Sequence, residues 1–387
     1  MAVTARRIRL AVVAIAAVST MPSVASSRAP PPEISAMPVA LLVDLGSGQT
    51  LYQRNANMRF LPASMTKVMT AYVAFEEMRR GSLRRDQRFG VREETARERN
   101  GKGTSMYLEQ GEQVSVDSLI HGIMTASAND ASIVLAEGYA GSTKGWAFLM
   151  NDAASRLGMT GSRFATANGW PDEGRTFVTA RDLVRLGSAM IRDFPRDYAR
   201  YSGRKSFKWN DRMLFSRDPV TGVIEGADGI KTGFTQEAGY NFLGSAERDG
   251  RRLVMVVGGA RSEAQRASAS RALLEWGFAE WRARPLFAAG ATISHARVQG
   301  GDAGKVALIS RFPVHATLQS GAEQQIRLRI VYRGPVPAPI VKGQRIAELE
   351  VRVGDLPPGR IPLVAEEAVG KGGTMDRLVN GFKNLFS

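Results

Sequence analysis

A chain of 387 residues with 44% hydrophobic content has apolar material for a large core, and for two domains rather than one. The absence of cysteine excludes disulfides, thiolate nucleophiles and cysteine-ligated metals. The three histidines, His121, His295 and His315, have no helical metal-ligand spacing, so neither a metal nor another cofactor is expected. A formal net charge of +15 suits either a solvated basic surface or an anionic partner. The basic residues are spread along the chain with no nucleic-acid motif among them, so nucleic acid is not an expected partner.

Residues 1–25 read as a signal peptide. Arg6, Arg7 and Arg9 precede the apolar run Leu10 to Val18, and Ser23-Val24-Ala25 offers small residues for cleavage. The apolar run is too short for a permanent span. A flexible lead is expected over 26–36. Next come a hairpin over Val39–Asp44 and Thr50–Gln53 and a helix from Ala63 to about Met78. Two helical stretches follow over 115–138, broken at Ser127-Ala128-Asn129, and further helices over 144–157 and 179–192. Three strands are expected at Gly229–Phe234, Tyr240–Glu247 and Arg252–Gly259, the last two joined by the turn Arg248-Asp249-Gly250-Arg251. A helix over 263–281 ends this region, which spans 37–285.

Residues 286–368 change texture. Short β-like runs alternate with Gly and Pro, which predicts a small β-sandwich domain. No cluster of catalytic side chains falls in it. In the last segment, 369–387, Met375, Leu378, Val379, Phe382, Leu385 and Phe386 share one helical face. Such a helix packs on the protein body or lies in a membrane surface, and the membrane is the partner expected here.

Two Ser-x-x-Lys pairs occur: Ser64 with Lys67, and Ser202 with Lys205. Residues at i and i+3 of a helix share a face, so Lys67 can reach the Ser64 hydroxyl. A serine needs a neighbour to take its proton, and a lysine serves when burial or a nearby cation depresses its pKa. The second pair contains Gly203 and sits in a polar, irregular stretch that fixes no geometry. Ser127 and Asn129 interrupt a helical region, where a loop can aim a hydroxyl relay and a carboxamide into a cleft. Lys231, Thr232 and Gly233 lie on a strand. They offer a cation and a hydroxyl for a carboxylate, and a glycine that lets a substrate backbone approach. Backbone N–H groups of Ser64 and Phe234 could form an oxyanion hole.

Ser-x-x-Lys, Ser-x-Asn and Lys-Thr-Gly in this order are motifs of penicillin-binding proteins and β-lactamases. "LPASMTKVMTA", "SANDAS" and "DGIKTGFTQEAGYNFLGSA" resemble the low-molecular-weight penicillin-binding proteins of the D-alanyl-D-alanine carboxypeptidase type. The resemblance implies an α/β (α+β) fold: a mainly antiparallel sheet with a helical subdomain, then a small all-β domain. It also implies that Ser64 is acylated, that Lys67 is its base and Ser127 a proton relay. Asn129, Lys231, Thr232, Gly233, Phe234 and Arg266 would bind substrate, with Arg261 the neighbouring alternative to Arg266. Two positions depart from the family pattern: Phe234 stands where histidine is frequent, and Ala128 where glycine is common.

The implied activity is removal of the terminal D-Ala from peptidoglycan stem pentapeptides, with covalent binding of β-lactam antibiotics. The implied location is the periplasm, at the outer face of the cytoplasmic membrane. A D,D-endopeptidase and a β-lactamase remain alternatives on the same fold, although "RFATANGWPDEG" lacks the glutamate segment of class A β-lactamases. A non-catalytic wall-binding or membrane-binding protein is the alternative of another kind.

Overall fold

The computed structural model describes residues 29–99, 103–321 and 324–373. The expected signal peptide, the start of the expected lead and residues 374–387 of the expected amphipathic segment 369–387 lie outside the described residues. Two compact units are present. Among the described residues, one comprises Ala29–Val43 with Leu51–Phe278; the other comprises Asp44–Thr50 with the chain from Ala279 to Gly373.

The first unit is built on a five-stranded sheet. Its strands are β1 (Val39–Asp44), β2 (Thr50–Arg54), β3 (Ala227–Thr235), β4 (Gly239–Arg248) and β5 (Arg251–Ala260), in the order β2-β1-β5-β4-β3. The β3–β4 and β4–β5 pairs are antiparallel. Asp249 and Gly250 both have positive φ, 50° and 72°, the backbone that a tight two-residue hairpin turn requires. β3 ends the sheet, so one row of its backbone groups has no partner strand.

Five longer helices accompany the sheet: α1 (Thr66–Arg80), α2 (Asn129–Ala140), α3 (Thr143–Arg156), α4 (Ala180–Asp193) and α5 (Glu263–Ala279). α1 is buried continuously from Thr66 to Glu77 and stops at Gly81, which is left-handed. Its central position follows from this: it packs against both α3 and α4. α4 is the amphipathic case. Leu183, Val184, Leu186, Met190 and Ile191 are buried, and the Thr179 side chain caps its N-terminus by accepting from Asp182 N. The helix predicted before Ser127 starts as α-helix (Val116–His121) and widens to a π-helical turn (Gly122–Ala126). A short hairpin, Ser206–Trp209 with Arg212–Phe215, packs on that turn; the sequence had suggested only irregular chain around it.

In the second unit, Trp281–Phe287 pairs antiparallel with Val314–Gln319. A six-stranded sheet runs in the order Ile326–Tyr332, Arg345–Val353, Gly359–Ala365, Lys305–Ile309, Thr292–Gln299, Val336–Pro337. The core is aliphatic, with Val306, Leu308, Leu349, Val351 and Leu363 buried. The C-terminal part of this unit begins at Ala279 and its first strand at Trp281, ahead of the expected boundary at 286. The expected lead is also shorter than 26–36. Pro32–Ser35 is a helical turn with Ile34 fully buried, because Pro32 suits a first helical turn and Ile34 removes an apolar side chain from water. Among the described residues no helix is long and apolar enough to cross a membrane.

Candidate active site

Ser64 sits on a single 3-10 turn, Ala63–Met65, which runs directly into α1. Lys67 is one residue inside the helix, so the two side chains meet over one turn. Lys67 Nζ lies 2.9 Å from Ser64 Oγ, 2.8 Å from Asn129 Oδ1 and 2.7 Å from the Asn168 carbonyl. Two of these partners, the carboxamide oxygen and the carbonyl, can only accept. A neutral amine has two N–H bonds and one lone pair. It satisfies both carbonyl-type partners with its hydrogens and leaves the lone pair for the Ser64 hydroxyl.

The electrostatics favour that neutral amine. Burial pushes the Lys67 pKa well below the usual lysine value, and Lys231 lowers it further, while Asp130 opposes them. Asp130 also has a structural task. It accepts from Ser105 Oγ (2.6 Å), Met106 N (3.0 Å) and Leu108 N (3.1 Å), tying the 105–108 loop to the N-terminus of α2. Thr104 adds two contacts: its hydroxyl donates to the Ser127 carbonyl at 2.7 Å, and its carbonyl accepts from Asn129 N at 2.9 Å.

Ser127 is half-buried and left-handed, with φ 61°, and Ala63 has φ 48°. Each such non-glycine position costs on the order of 1–3 kcal/mol, so the packing around them must hold them. For Ala63 the holding group is visible: a Cβ on Gly169 would stand 1.8 Å from the Ala63 carbonyl oxygen. Only glycine lets the Asn168–Gly169 backbone come so close, and this approach puts the Asn168 carbonyl on Lys67. Ala128 is fully buried with φ −58° and ψ 122°, a backbone that alanine adopts freely, so its departure from the family pattern strains nothing.

β3 supplies the opposite wall. Lys231 is buried, with Nζ donating to the Thr232 carbonyl at 3.1 Å. Its pKa falls to about 7 through burial, then Arg266 and Arg217, with Asp218 opposing. Arg266, on α5, is also buried. Its Nη2 donates to the Arg217 carbonyl (3.2 Å) and to Glu263 (2.7 Å), while Nε has no hydrogen-bond partner among the described residues. Glu263 and Asp218 offset part of this positive charge, and the spare Arg266 donor beside the buried lysine suits a further carboxylate. Arg261 is exposed at the turn before α5, and no such cluster surrounds it. Thr232 is half-buried on the same edge strand.

Gly233 has a reason to be glycine besides the expected approach of a substrate backbone. A Cβ there would lie 2.4 Å from the Pro62 carbonyl and 3.2 Å from Met65 N. The glycine lets β3 pack against the serine turn; the close approach is by the protein's own backbone. Phe234 is 43% exposed and stacks on Tyr240, with ring centroids 4.1 Å apart. The second Ser-x-x-Lys pair forms no such arrangement. Ser202 Oγ is buried with no hydrogen-bond partner, and Lys205 lies against Gly222.

Sequence reasoning missed Asn168, Thr104, Asp130 and Tyr240. Asp130 was legible in "SANDAS" as an acid in a first helical turn. Asn168 acts through its backbone, and no residue type signals that. Among the described residues no group of histidine, aspartate or glutamate is placed to hold a metal.

A family model described as D-alanyl-D-alanine carboxypeptidase matches residues 25–262, and one described as penicillin-binding protein 5, C-terminal domain, matches 281–371. The chain is 34% identical over 349 residues to D-alanyl-D-alanine carboxypeptidase DacC of Escherichia coli K12, covering 87% of this chain and 85% of that protein. It is 32% identical over 364 residues to DacA of Haemophilus influenzae, covering 92% of each. Among solved structures, penicillin-binding protein 5 from Haemophilus influenzae matches with a TM-score of 0.70 and 31% identity, covering 88% of this chain and 99% of that one. Penicillin-binding protein D2 from Listeria monocytogenes, in its ampicillin-bound form, matches with a TM-score of 0.57 and 31% identity, over 62% of this chain and 97% of that one. The mixed fold, the matched lengths and these relatives agree: the chain belongs to the D-alanyl-D-alanine carboxypeptidase family of serine peptidases.

Proposed function

We propose that this protein removes the terminal D-Ala from peptidoglycan stem pentapeptides through an acyl-enzyme on Ser64. The observation that carries this is the buried Lys67 amine, 2.9 Å from Ser64 Oγ and held by two acceptor-only partners. The terminal carboxylate binds Lys231, Thr232 and Arg266. Ser64 Oγ attacks the penultimate D-Ala carbonyl while Lys67 takes its proton. Backbone N–H groups of Ser64 and Phe234 hold the oxyanion. The peptide C–N bond breaks, the leaving nitrogen receives a proton relayed by Ser127, and D-Ala departs. Water then attacks the ester, gives up a proton to the same base and restores Ser64.

A β-lactam carries the same carboxylate and a strained amide, so it acylates Ser64 and remains bound. Release of D-Ala from a pentapeptide by the wild type, and its loss in Ser64→Ala, tests the reading. Release by Ser64→Ala at the wild-type rate would refute it. A cross-linked stem dimer assayed in parallel separates carboxypeptidase from endopeptidase action. Rapid turnover of a labelled penicillin would instead favour a β-lactamase.

The proposal extends to location. The Arg-rich start, the apolar run Leu10 to Val18 and Ser23-Val24-Ala25 support export to the periplasm with cleavage near Ala25. The apolar face from Met375 to Phe386 supports attachment to the outer face of the cytoplasmic membrane. Fractionation of a chain truncated after Lys371 tests this: the truncated protein moves to the soluble fraction, and retention in the membrane fraction would contradict it.

A further inference from the structure

The side chain of Phe234 has no task in the chemistry above, which uses only its backbone. Large apolar residues in this unit are mostly buried, yet Phe234 is 43% exposed. It does not hang free. Phe234 and Tyr240 are register partners across β3 and β4, and their rings stack at 4.1 Å with an interplanar angle of 28°. The Tyr240 ring in turn lies 5.8 Å from the Arg266 guanidinium carbon. Tyr240 covers one face of the phenylalanine ring, so the ring is fixed.

Side chains alternate along a strand, so Phe234 shares the face of Thr232, about 7 Å further along the edge. Lys231, Thr232 and Arg266 are the carboxylate site. In a peptide substrate the leaving residue's α-carbon carries both that carboxylate and the side chain. Anchoring the carboxylate at Thr232 therefore brings the leaving side chain within reach of the Phe234 ring. A methyl group covers little of such a ring, whereas a branched or aromatic side chain would remove much of its exposed apolar area from water.

We propose that the Phe234–Tyr240 stack is a specificity platform that admits peptides ending in a bulky apolar or aromatic D-residue, a substrate class beyond terminal D-Ala. This rests on the carboxypeptidase reading above. The site would hydrolyse acyl-D-Ala-D-Leu or acyl-D-Ala-D-Phe by the same acylation and deacylation, releasing the free D-amino acid. No new co-reactant is needed, because water takes the acyl group in both cases.

The test measures release of the terminal residue from acyl-D-Ala-D-Ala, acyl-D-Ala-D-Leu and acyl-D-Ala-D-Phe. The wild type should process the bulky peptides with kcat/KM within about threefold of the D-Ala peptide. In Phe234→Ala the ratio of bulky to D-Ala kcat/KM should fall about tenfold, the scale of a changed apolar contact. The change should appear in KM, and Phe234→Leu, which keeps an apolar body, should retain most of the ratio. An unchanged ratio in Phe234→Ala overturns the proposal, as does a wild type that rejects the bulky peptides more than about a hundredfold. If the wild type releases nothing from acyl-D-Ala-D-Ala either, the carboxypeptidase reading itself fails and takes the platform with it.

Discussion

Two places in this protein have a serine three residues before a lysine, and they behave differently. At Ser64 the spacing falls on the entry to a helix, and the lysine is held by a carboxamide, a carbonyl and the serine hydroxyl. At Ser202 the short helix Pro195–Tyr201 has just ended and the backbone is extended, with φ −93° and ψ 159°. The hydroxyl is buried without a partner. The same four-residue pattern therefore brings hydroxyl and amine together only where the backbone puts i and i+3 on one face. At Ser64, acceptors also orient the amine and burial lowers its pKa.

The largest effect expected from breaking this contrast is on chemistry. Ser64→Ala should abolish acylation by penicillin, and Lys67→Ala should slow it by about 10²–10⁴-fold, the range for a lost general base. Ser202→Ala and Lys205→Ala should each stay within about twofold of wild type. Loss of labelling in Ser202→Ala would invert the assignment.

Next in size is Gly233→Ala. Its methyl group would collide with the Pro62 carbonyl and push the serine turn away from β3. A misplacement of about 1 Å can cost on the order of 10²-fold in rate, so acylation should fall by about that factor while circular dichroism still shows a folded chain. Wild-type acylation would show that the contact has more slack than its geometry implies.

A smaller effect concerns pH. The folded pKa of Lys231 is depressed to about 7, and the substrate carboxylate prefers the charged ammonium. As pH rises through about 7 the free enzyme loses that charge, so KM should climb, by at most about tenfold per unit. Lys231→Arg keeps its charge and should show a flatter KM profile over the same window. Parallel profiles would mean that Lys231 does not hold the carboxylate.

The smallest effect is on stability. Ser202→Ala deletes a buried hydroxyl that has no partner, so it should leave the protein as stable or up to about 1 kcal/mol more stable. A clear loss in urea unfolding would show that the hydroxyl has a role after all.

Much of this site was legible in the sequence because its parts are residue types. Ser64, Lys67, Asn129 and Lys231 stand out as reactive or polar side chains at telling spacings, and Arg266 only through the family resemblance. The rest depends on backbone and on distance in the fold. The Asn168 carbonyl holds Lys67 because Gly169 passes the serine turn closely, and nothing in "TANGW" states which backbone it will meet. Arg266 and Arg261 look alike in the chain, and burial separates them. Gly233 was read for the approach of a substrate backbone, and its contact with the serine turn, which only the fold supplies, was not legible. The hairpin at 206–215 escaped because its strands are only four residues each, which gives periodicity little to work on. The β unit was legible from its alternation and Pro/Gly punctuation, although most of its first strand, Trp281–Phe287, lies before the expected boundary at 286, with Trp281 read as the end of the preceding helix.

The account stands on Lys67 making Ser64, and not Ser202, nucleophilic. Its most direct test is peptide mapping of the wild type and Lys67→Ala after a brief exposure to a labelled penicillin. The account predicts label on the Ser64 peptide of the wild type and almost none in the variant. Label on the Ser202 peptide, or equal labelling of both proteins, would contradict it.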